Sequence, residues 1–441
     1  MTQQELLLTL LQRLDEPVAR YSQLDQYYGG RQPLAFLSPE AKIALGNRFG
    51  LMASNIPRLA VTAIAERLRI TGFSGDEELW ADWIRNDLDQ LSGVAHREAL
   101  LLGDSFVMVW ADVYGRPKVT IESAKQVAVQ TDPGTRTITA AVKRWETNTT
   151  TEAVLYLPDT ITRLRANQTG ATTQGFFTVE EIANPLGVVP VVAIRNSERI
   201  LDDRGISEIT DLMPLVDALN KSLADMMVTS EYVGRPRRWA TGIELSEEPV
   251  LDAEGNDTGQ TIEVNPIPEG ARAMISESHE AKFGQLQAAD LAGYEASVRV
   301  ILGQIMAVST LPAHYVGVFT DNPASADALR AAEASLTAKA EARQATFGRC
   351  WEQVGRLMIA VRDGRDPNMI DDIRVLWADA ATRSVAQEAD AVVKLYQAGL
   401  LPASAALTKL GYSEDQIAEI RAARRGEALD TAGLDLRALA S

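Results

Sequence analysis

Three histidines and one cysteine are the side chains of this 441-residue chain with most to offer as metal ligands, bases or nucleophiles. His96, His279 and His314 are scattered and lack the spacing that a metal site needs, so no metal centre is expected. Cys350 stands beside Trp351 in an apolar-periodic stretch, which points to a core thiol rather than a nucleophile. A single cysteine excludes internal disulfides and cysteine-based zinc sites, and it fits a reducing compartment. The acidic run Asp252-Ala-Glu-Gly-Asn-Asp-Thr-Gly259 suggests calcium at first sight, but its spacing is not that of a calcium loop, and a solvated turn is the plainer reading. The chain has no G-x-x-x-x-G-K-[ST] loop, so it is not an ATP-driven motor of that type. It also has no G-x-S-x-G elbow and no H-E-x-x-H pair. Carboxylate–lysine pairs such as Glu40 and Lys42 arise by chance in a charged chain and do not indicate a nuclease. The expectation is a protein that is not an enzyme and uses no cofactor.

Length allows two to four domains, and 46% hydrophobic residues is an ordinary globular share. No secretory signal and no membrane span are expected, because the longest apolar run, near Gly187 to Ile194, is far too short to cross a bilayer. The sequons at Asn148 and Asn167 are therefore without meaning. A net charge of −17 argues against a surface that grips nucleic acid all over; it suits a protein that repels nucleic acid, or one indifferent to it.

The element around which the rest is arranged is a helix predicted from Asn322 to Asp363. Asn322 can cap it, Pro323 suits its first position, and Gly364 can stop it. Leu329, Leu336, Phe347, Trp351, Val354, Leu357, Met358 and Val361 recur at helical spacing, so one side is expected to be buried. At 1.5 Å per residue the rod is roughly 60 Å long, which fits a strut through several layers of an assembly or a long helix of a helical monomer.

Before it, helices are predicted over 2–15, 39–54, 57–70, 76–91 and 93–102. Strands follow over 105–111, 118–122, 136–146, 152–157 and 175–179, with a stiff apolar run at 184–192. Tyr27 to Leu34 reads as a turn with two aromatics ahead of it. A seam helix over 208–232, started or kinked by Pro214, carries Ile209, Leu212, Val216, Leu219, Leu223 and Met226. The insertion after it holds the acids Glu244, Glu247, Glu248, Asp252, Glu254, Asp257, Glu263 and Glu269 with no base between Arg238 and Arg272. A second helix, predicted over 281–308, has two stripes. One is small (Ala289, Gly293, Ala296, Gly303, Ala307, with Leu286 and Val300), and the other is large (Leu291, Tyr294, Val298, Ile301, Ile305, Val308). Such a helix sits in a large core or is wedged between subunits, and the wedge is favoured. Helical segments at 384–398, 402–410 and 413–424 close the chain. The fold class is α+β, mainly helical.

Several stretches, in order, resemble the portal proteins of tailed bacteriophages, in particular the family of long-tailed phages of Gram-positive hosts. They are Tyr27-Tyr28-Gly29 with Pro33-Leu34, Arg67-Leu68 with Gly72-Phe73, and Gly187 with Val189-Pro190-Val191. Then come Gly205-Ile-Ser-Glu-Ile209, Asp217-Ala-Leu-Asn220, and Pro236-Arg-Arg-Trp239 with Gly242. The most specific are Phe283-Gly-Gln-Leu286 through Leu311-Pro-Ala-His-Tyr315, and Asn322-Pro-Ala-Ser-Ala326 through Ala331-Ala-Glu333. Together they span almost the whole chain.

The resemblance implies a dodecameric ring at one capsid vertex, in the virion and, during assembly, in the host cytoplasm. Double-stranded DNA passes non-specifically through it, and its implied partners are the terminase motor, a head–tail adaptor and the major capsid protein. It implies a wing (1–204, with the long helix at 323–365), a stem (205–232 and 277–308), a clip (233–276), a tunnel loop (309–322) and a crown (366–441). On this reading Leu219, Leu223, Gly293, Ala296 and Gly303 pack between subunits, and Arg237, Arg238 and Trp239 dock partners or, alternatively, Trp239 packs within the clip. Thr310, His314, Tyr315 and Phe319 line the channel; Thr310, His314 and Tyr315 can donate to phosphates without a permanent charge, or Tyr315 and Phe319 pack the loop on the wing. The small acidic clip departs from the family pattern. The competing reading is a ring-forming collar or scaffold protein that does not conduct DNA.

Overall fold

The computed structural model describes residues 2–34, 53–197, 199–234, 238–242, 246–251, 257–264, 279–285, 291–318, 326–381 and 385–438. It is α+β: helices combined with antiparallel sheets. The first helix, α1 (Gln3–Asp15), begins at a capping box in which Thr2 Oγ1 accepts from the Glu5 amide at 3.3 Å and the Glu5 carboxylate accepts from the Thr2 amide at 2.7 Å. In place of the predicted turn at Tyr27, α2 (Val18–Gly29) runs through both tyrosines and turns at Gly30, whose φ of 65° suits glycine. The helix predicted over 39–54 lies outside the described residues except for its last two.

α3 (Ile56–Ala65) is shorter than predicted, because Ile70–Ser74 leaves the helical pattern to form β1 and pairs antiparallel with Arg374–Trp377. The next helical stretch divides at Asn86–Asp87 rather than at Gly93, giving α4 (Leu79–Arg85) and α5 (Leu88–Leu102). The cause is the Asn86 amide. It donates to the Asp82 and Pro117 carbonyls at 2.9 and 3.0 Å and accepts from the Val119 amide at 3.0 Å, completing the edge of the neighbouring strand.

β2 (Asp104–Ala111), β3 (Pro117–Ser123), β4 (Val127–Thr131), β5 (Ile138–Glu146), β6 (Thr151–Tyr156), β7 (Thr160–Ala166), β8 (Phe177–Ala183) and β9 (Val191–Arg195) follow. They form a three-stranded sheet, β3-β2-β9, and a five-stranded meander, β4-β5-β6-β7-β8. β4, β7 and β9 are additions to the predicted set, and β8 lies further along the chain than expected. Leu10, Leu11 and Leu14 of α1 share a core with Val142, Leu155 and Leu164 of the meander.

A 3-10 turn at Thr210–Leu212 leads into α6 (Met213–Gly234), with Pro214 in its first turn where a missing N–H is harmless. Two short ribbons come next. β10 (Arg238–Thr241) pairs with β13 (Lys282–Gln285), and β11 (Ser246–Leu251) pairs with β12 (Asp257–Val264). The helix predicted from 281 is therefore displaced: 282–285 are strand, and α7 begins at Ala292 and ends at Ser309. Gly284 explains the strand, since a Cβ there would come within 2.4 Å of the Trp239 ring on the partner strand.

α8 (Ala326–Asp363) is the predicted rod, although Asn322 and Pro323 lie outside the described residues. It crosses β2 and β9 and buries Leu336, Ala340, Phe347, Trp351, Val354, Leu357 and Met358, whereas Leu329 is exposed. Trp351 meets Trp83 edge-to-face at 5.0 Å, so the helix is bolted to α4 by aromatic packing. β14 (Arg374–Trp377) returns to β1, and α9 (Val385–Gln397), α10 (Ala403–Lys409) and α11 (Glu414–Ala438) end the fold.

Candidate functional site

A charged side chain on the buried face of a helix must find a partner, because an unpaired charge is costly away from water. α8 carries Glu333 and Arg343, both buried, and Lys339 beside them. Each pairs with a segment that joins α6 or α7 to the rest of the chain. Glu208, just ahead of α6, takes Lys339 Nζ at 2.7 Å, Arg343 Nη2 at 2.8 Å and Asn196 Nδ2 at 3.1 Å. Burial pushes its carboxyl up, but Lys339 and Arg343 outweigh that and hold it below the ordinary carboxylate range.

The backbone ahead of Glu208 is equally constrained. A Cβ on Gly205 would lie 1.8 Å from the Gly103 carbonyl oxygen, and Gly103 has φ of 98°. The Gly205 amide donates to Asp104 at 3.0 Å while Asp104 also takes Arg195 at 3.0 Å. Further along, Tyr27 Oη donates to Asp217 at 2.7 Å and the Ser54 amide donates to Asn220 Oδ1 at 3.0 Å. The start of α6 is thereby fixed to the N-terminal unit.

The turn after α7 is held in the same way. Thr310 (φ 61°) and Gly317 (φ 77°) bracket a 3-10 turn at Ala313–Val316, with Leu311 buried. His314 Nε2 lies 3.2 Å from Glu333 Oε1, and the Tyr315 hydroxyl accepts from Arg67 Nη2 at 3.2 Å. Arg67 Nη2 also lies 3.1 Å from Glu333 Oε2. The polar ends of His314 and Tyr315 are thus engaged inside the chain, and their rings meet edge-to-face at 4.8 Å. Phe319 lies outside the described residues.

α6 and α7 run antiparallel, with Thr229 Oγ1 and Tyr294 Oη 3.3 Å apart at one end and Ile305 in the core of Ile209, Leu212 and Val216 at the other. Leu219 is only 2% exposed and Leu223 half-buried, both against the chain's own core. The small stripe of α7 is on the other side: Gly293, Ala296, Val300 and Ala307 are exposed, and among the described residues a Cβ on Gly293 or Gly303 would meet nothing within 4 Å, while Leu286 and Ala289 lie outside the described residues. On the ribbon, Arg238 opens β10, Trp239 covers Gly284 and remains 42% exposed, and Arg237 lies outside the described residues.

His96 is fully buried, with Nδ1 3.1 Å from the Leu68 carbonyl oxygen and Nε2 accepting from Trp351 Nε1 at 2.7 Å. Burial lowers its pKa to about 3, so it is a neutral packing residue. Burial also pushes the Cys350 thiol up to about 11, far from a reactive thiolate. Among the described residues no cluster of His, Cys, Asp and Glu suits a metal ion, and no helix is long and apolar enough to cross a membrane.

Sequence reasoning placed no role on Arg67, Glu208, Glu333, Lys339 or Arg343. The available signal was a charge at helical spacing with Leu336, Ala340 and Phe347, which belongs on the buried face and demands a counter-charge.

The family described as "Phage portal protein, SPP1 Gp6-like" matches residues 9–428. The portal protein of Mycobacterium phage L5 is 34% identical over 390 residues, covering 83% of this chain and 77% of that protein. The portal protein of Mycobacterium phage D29 is 34% identical over 392 residues, again covering 83% and 77%. A solved structure titled as the virion of a native gene transfer agent particle contains a chain that is 16% identical, with a TM-score of 0.47, covering 89% of this chain and 99% of that one.

Proposed function

The chain belongs to the SPP1 Gp6-like family of phage portal proteins, and from this membership and the geometry above we propose how its parts serve a portal. A portal is a ring at one capsid vertex through which double-stranded DNA is packaged and ejected, and on which the packaging motor and the neck dock. We assign residues 1–204 with α8 to the wing, α6 and α7 to the stem, 233–276 to the clip, the turn from 309 to the channel wall, and 366–441 to the crown. The role is conduction and docking, without catalysis.

The observation that carries the ring is the two-sided α7. Val298, Ile301 and Ile305 of its large stripe pack on the chain's own core, while a Cβ at Gly293 or Gly303 of its small stripe meets nothing within 4 Å among the described residues. A neighbouring subunit's stem would cover that stripe closely, because small residues permit close approach of a helix. Leu219 and Leu223 then serve from beneath, holding α6 to its own wing, and contact with the neighbour falls to Gly293, Ala296 and Gly303. At the channel wall, Thr310 and the backbone of the 313–317 turn meet DNA, with His314 and Tyr315 holding the turn from behind. The 12-fold symmetry, the terminase motor, the adaptor at Arg237, Arg238 and Trp239, the capsid-protein contact and residence in the virion all belong to this proposal.

Electron microscopy of the purified protein, viewed face-on, tests it. Closed rings with a central channel are expected, and monomers at micromolar concentration would overturn it. A map of filled particles separates the portal from a non-conducting collar, since only the portal has DNA density along its axis.

A further inference from the structure

We infer that Arg67 is a positioning residue that ties the 309–318 turn to the 378–381 stretch, so that neither moves alone. The coupling itself stands on the geometry, and its consequence for DNA rests on the portal reading. Arg67 lies in the loop between α3 and β1, and its side chain is only 9% exposed. Its guanidinium reaches three separate parts of the chain. Nη1 donates to the Ala380 carbonyl at 2.7 Å, while Nη2 donates to the Tyr315 hydroxyl at 3.2 Å and to Glu333 at 3.1 Å. The other oxygen of Glu333 faces His314 at 3.2 Å. Behind it, Gln344 Nε2 donates to the carbonyls of Arg67 and Ala378 at 2.9 and 3.1 Å, so the fork has a rigid base.

A guanidinium is planar and its donors are fixed relative to one another. Displacing the turn tilts the whole fork and therefore strains the bond to Ala380. Lysine, a point donor on a flexible stem, cannot impose that linkage. Thr310 and Gly317, both with positive φ, mark the two ends of the turn, and the bonds from the Tyr315 amide to Pro312 and from the Val318 amide to Ala313 make the stretch between them one unit. The 378–381 stretch leads from β14 towards α9. A push on the turn by a passing duplex would thus be felt where the chain leaves for its C-terminal helices, and a shift of those helices would be felt at the turn.

Hydrogen exchange by mass spectrometry on assembled rings tests the linkage, using peptides that cover 311–318 and 374–381, with α5 and β2 as internal references. Arg67→Met and Arg67→Lys should both speed exchange in the two peptides together, by about tenfold, with the references unchanged. Tyr315→Phe removes one hydroxyl, leaves every charge in place, and serves if the arginine variants fail to assemble. It should speed exchange at 374–381 as well as at 311–318. A response confined to 311–318, or none in either peptide, would overturn the coupling. DNA retention by particles carrying Arg67→Lys is read separately. Coupled exchange with normal retention would leave the linkage standing and remove the turn from the DNA path.

Discussion

His96 is a buried imidazole with both nitrogens spoken for, Nδ1–H donating to Leu68 and Nε2 accepting from Trp351. Its pKa falls from 6.5 to about 3, so below pH 6.5 the unfolded chain takes up a proton that the folded chain refuses. The contribution is complete above pH 6.5 and drains away at about 1.4 kcal/mol per pH unit as the pH drops towards 3. His96→Gln can keep both hydrogen bonds without titrating. Calorimetry from pH 7 to 4.5 should show the melting temperature of the wild type falling more steeply than that of His96→Gln. Parallel curves would mean that His96 is protonated in the fold. Gly205 makes a steric prediction of the same scale. Gly205→Ala would put a methyl 1.8 Å from the Gly103 carbonyl oxygen, and it should destabilise the fold by about 3 kcal/mol, seen as an earlier urea midpoint. A midpoint equal to wild type would show that the Gly103–Gly205 crossing relaxes at no cost.

At the scale of elements, α7 separates two kinds of packing that its sequence already distinguishes. A Cβ added at Gly303 meets nothing within 4 Å among the described residues, so with Gly303→Leu the subunit should melt as before while rings fall apart, at about 1–3 kcal/mol per interface. Native mass spectrometry reads this directly, and intact rings would place the stem contact elsewhere. The apolar period of α8 and the two stripes of α7 were legible because a helix writes its burial into spacing that local sequence preserves. β1 was not, since Ile70–Ser74 continues an apolar helix in sequence and becomes a strand only through Arg374–Trp377, far along the chain. The start of α7 was missed for the same reason: Lys282–Gln285 looks helical until Trp239 lies over Gly284. The polar cluster of Arg67, Glu333 and His314 was hidden more deeply. Each residue sat in a stretch that marked the family, yet their meeting is a property of the fold, because no sequence spacing relates positions 67, 314 and 333. Glu208 lies in the same position with respect to Lys339 and Arg343. Glu208→Gln removes the charge that Lys339 and Arg343 share and should destabilise by about 3 kcal/mol, whereas a change under 1 kcal/mol in urea unfolding would show that the two cations are satisfied without it.

At the scale of the whole molecule, charge decides how a ring of these subunits treats DNA. Each chain carries −17, and a duplex carries about one negative charge per 1.7 Å of its axis, so ring and duplex repel. Binding proteins gain affinity by neutralising phosphates and releasing counterions, and an acidic wall forgoes that gain. On the portal reading, a wall that shares the chain's acidity would hold DNA by confinement and let it slide. Wild-type rings should therefore show no measurable affinity for a short linear duplex in fluorescence anisotropy, from about 50 to about 200 mM salt. Thr310→Arg places one cation per subunit at the proposed channel wall, on a residue whose φ of 61° is no worse for arginine than for threonine. Those rings should bind the same duplex, and the affinity should fall with rising salt at a slope of about −0.9 per phosphate contacted. Particles built with them should fill or empty more slowly, because each step now breaks an ion pair. Tight, steeply salt-dependent binding by the wild type would reveal a basic lumen and sink the acidic conduit. Thr310→Arg rings that gain no affinity would place Thr310 away from the path of the DNA.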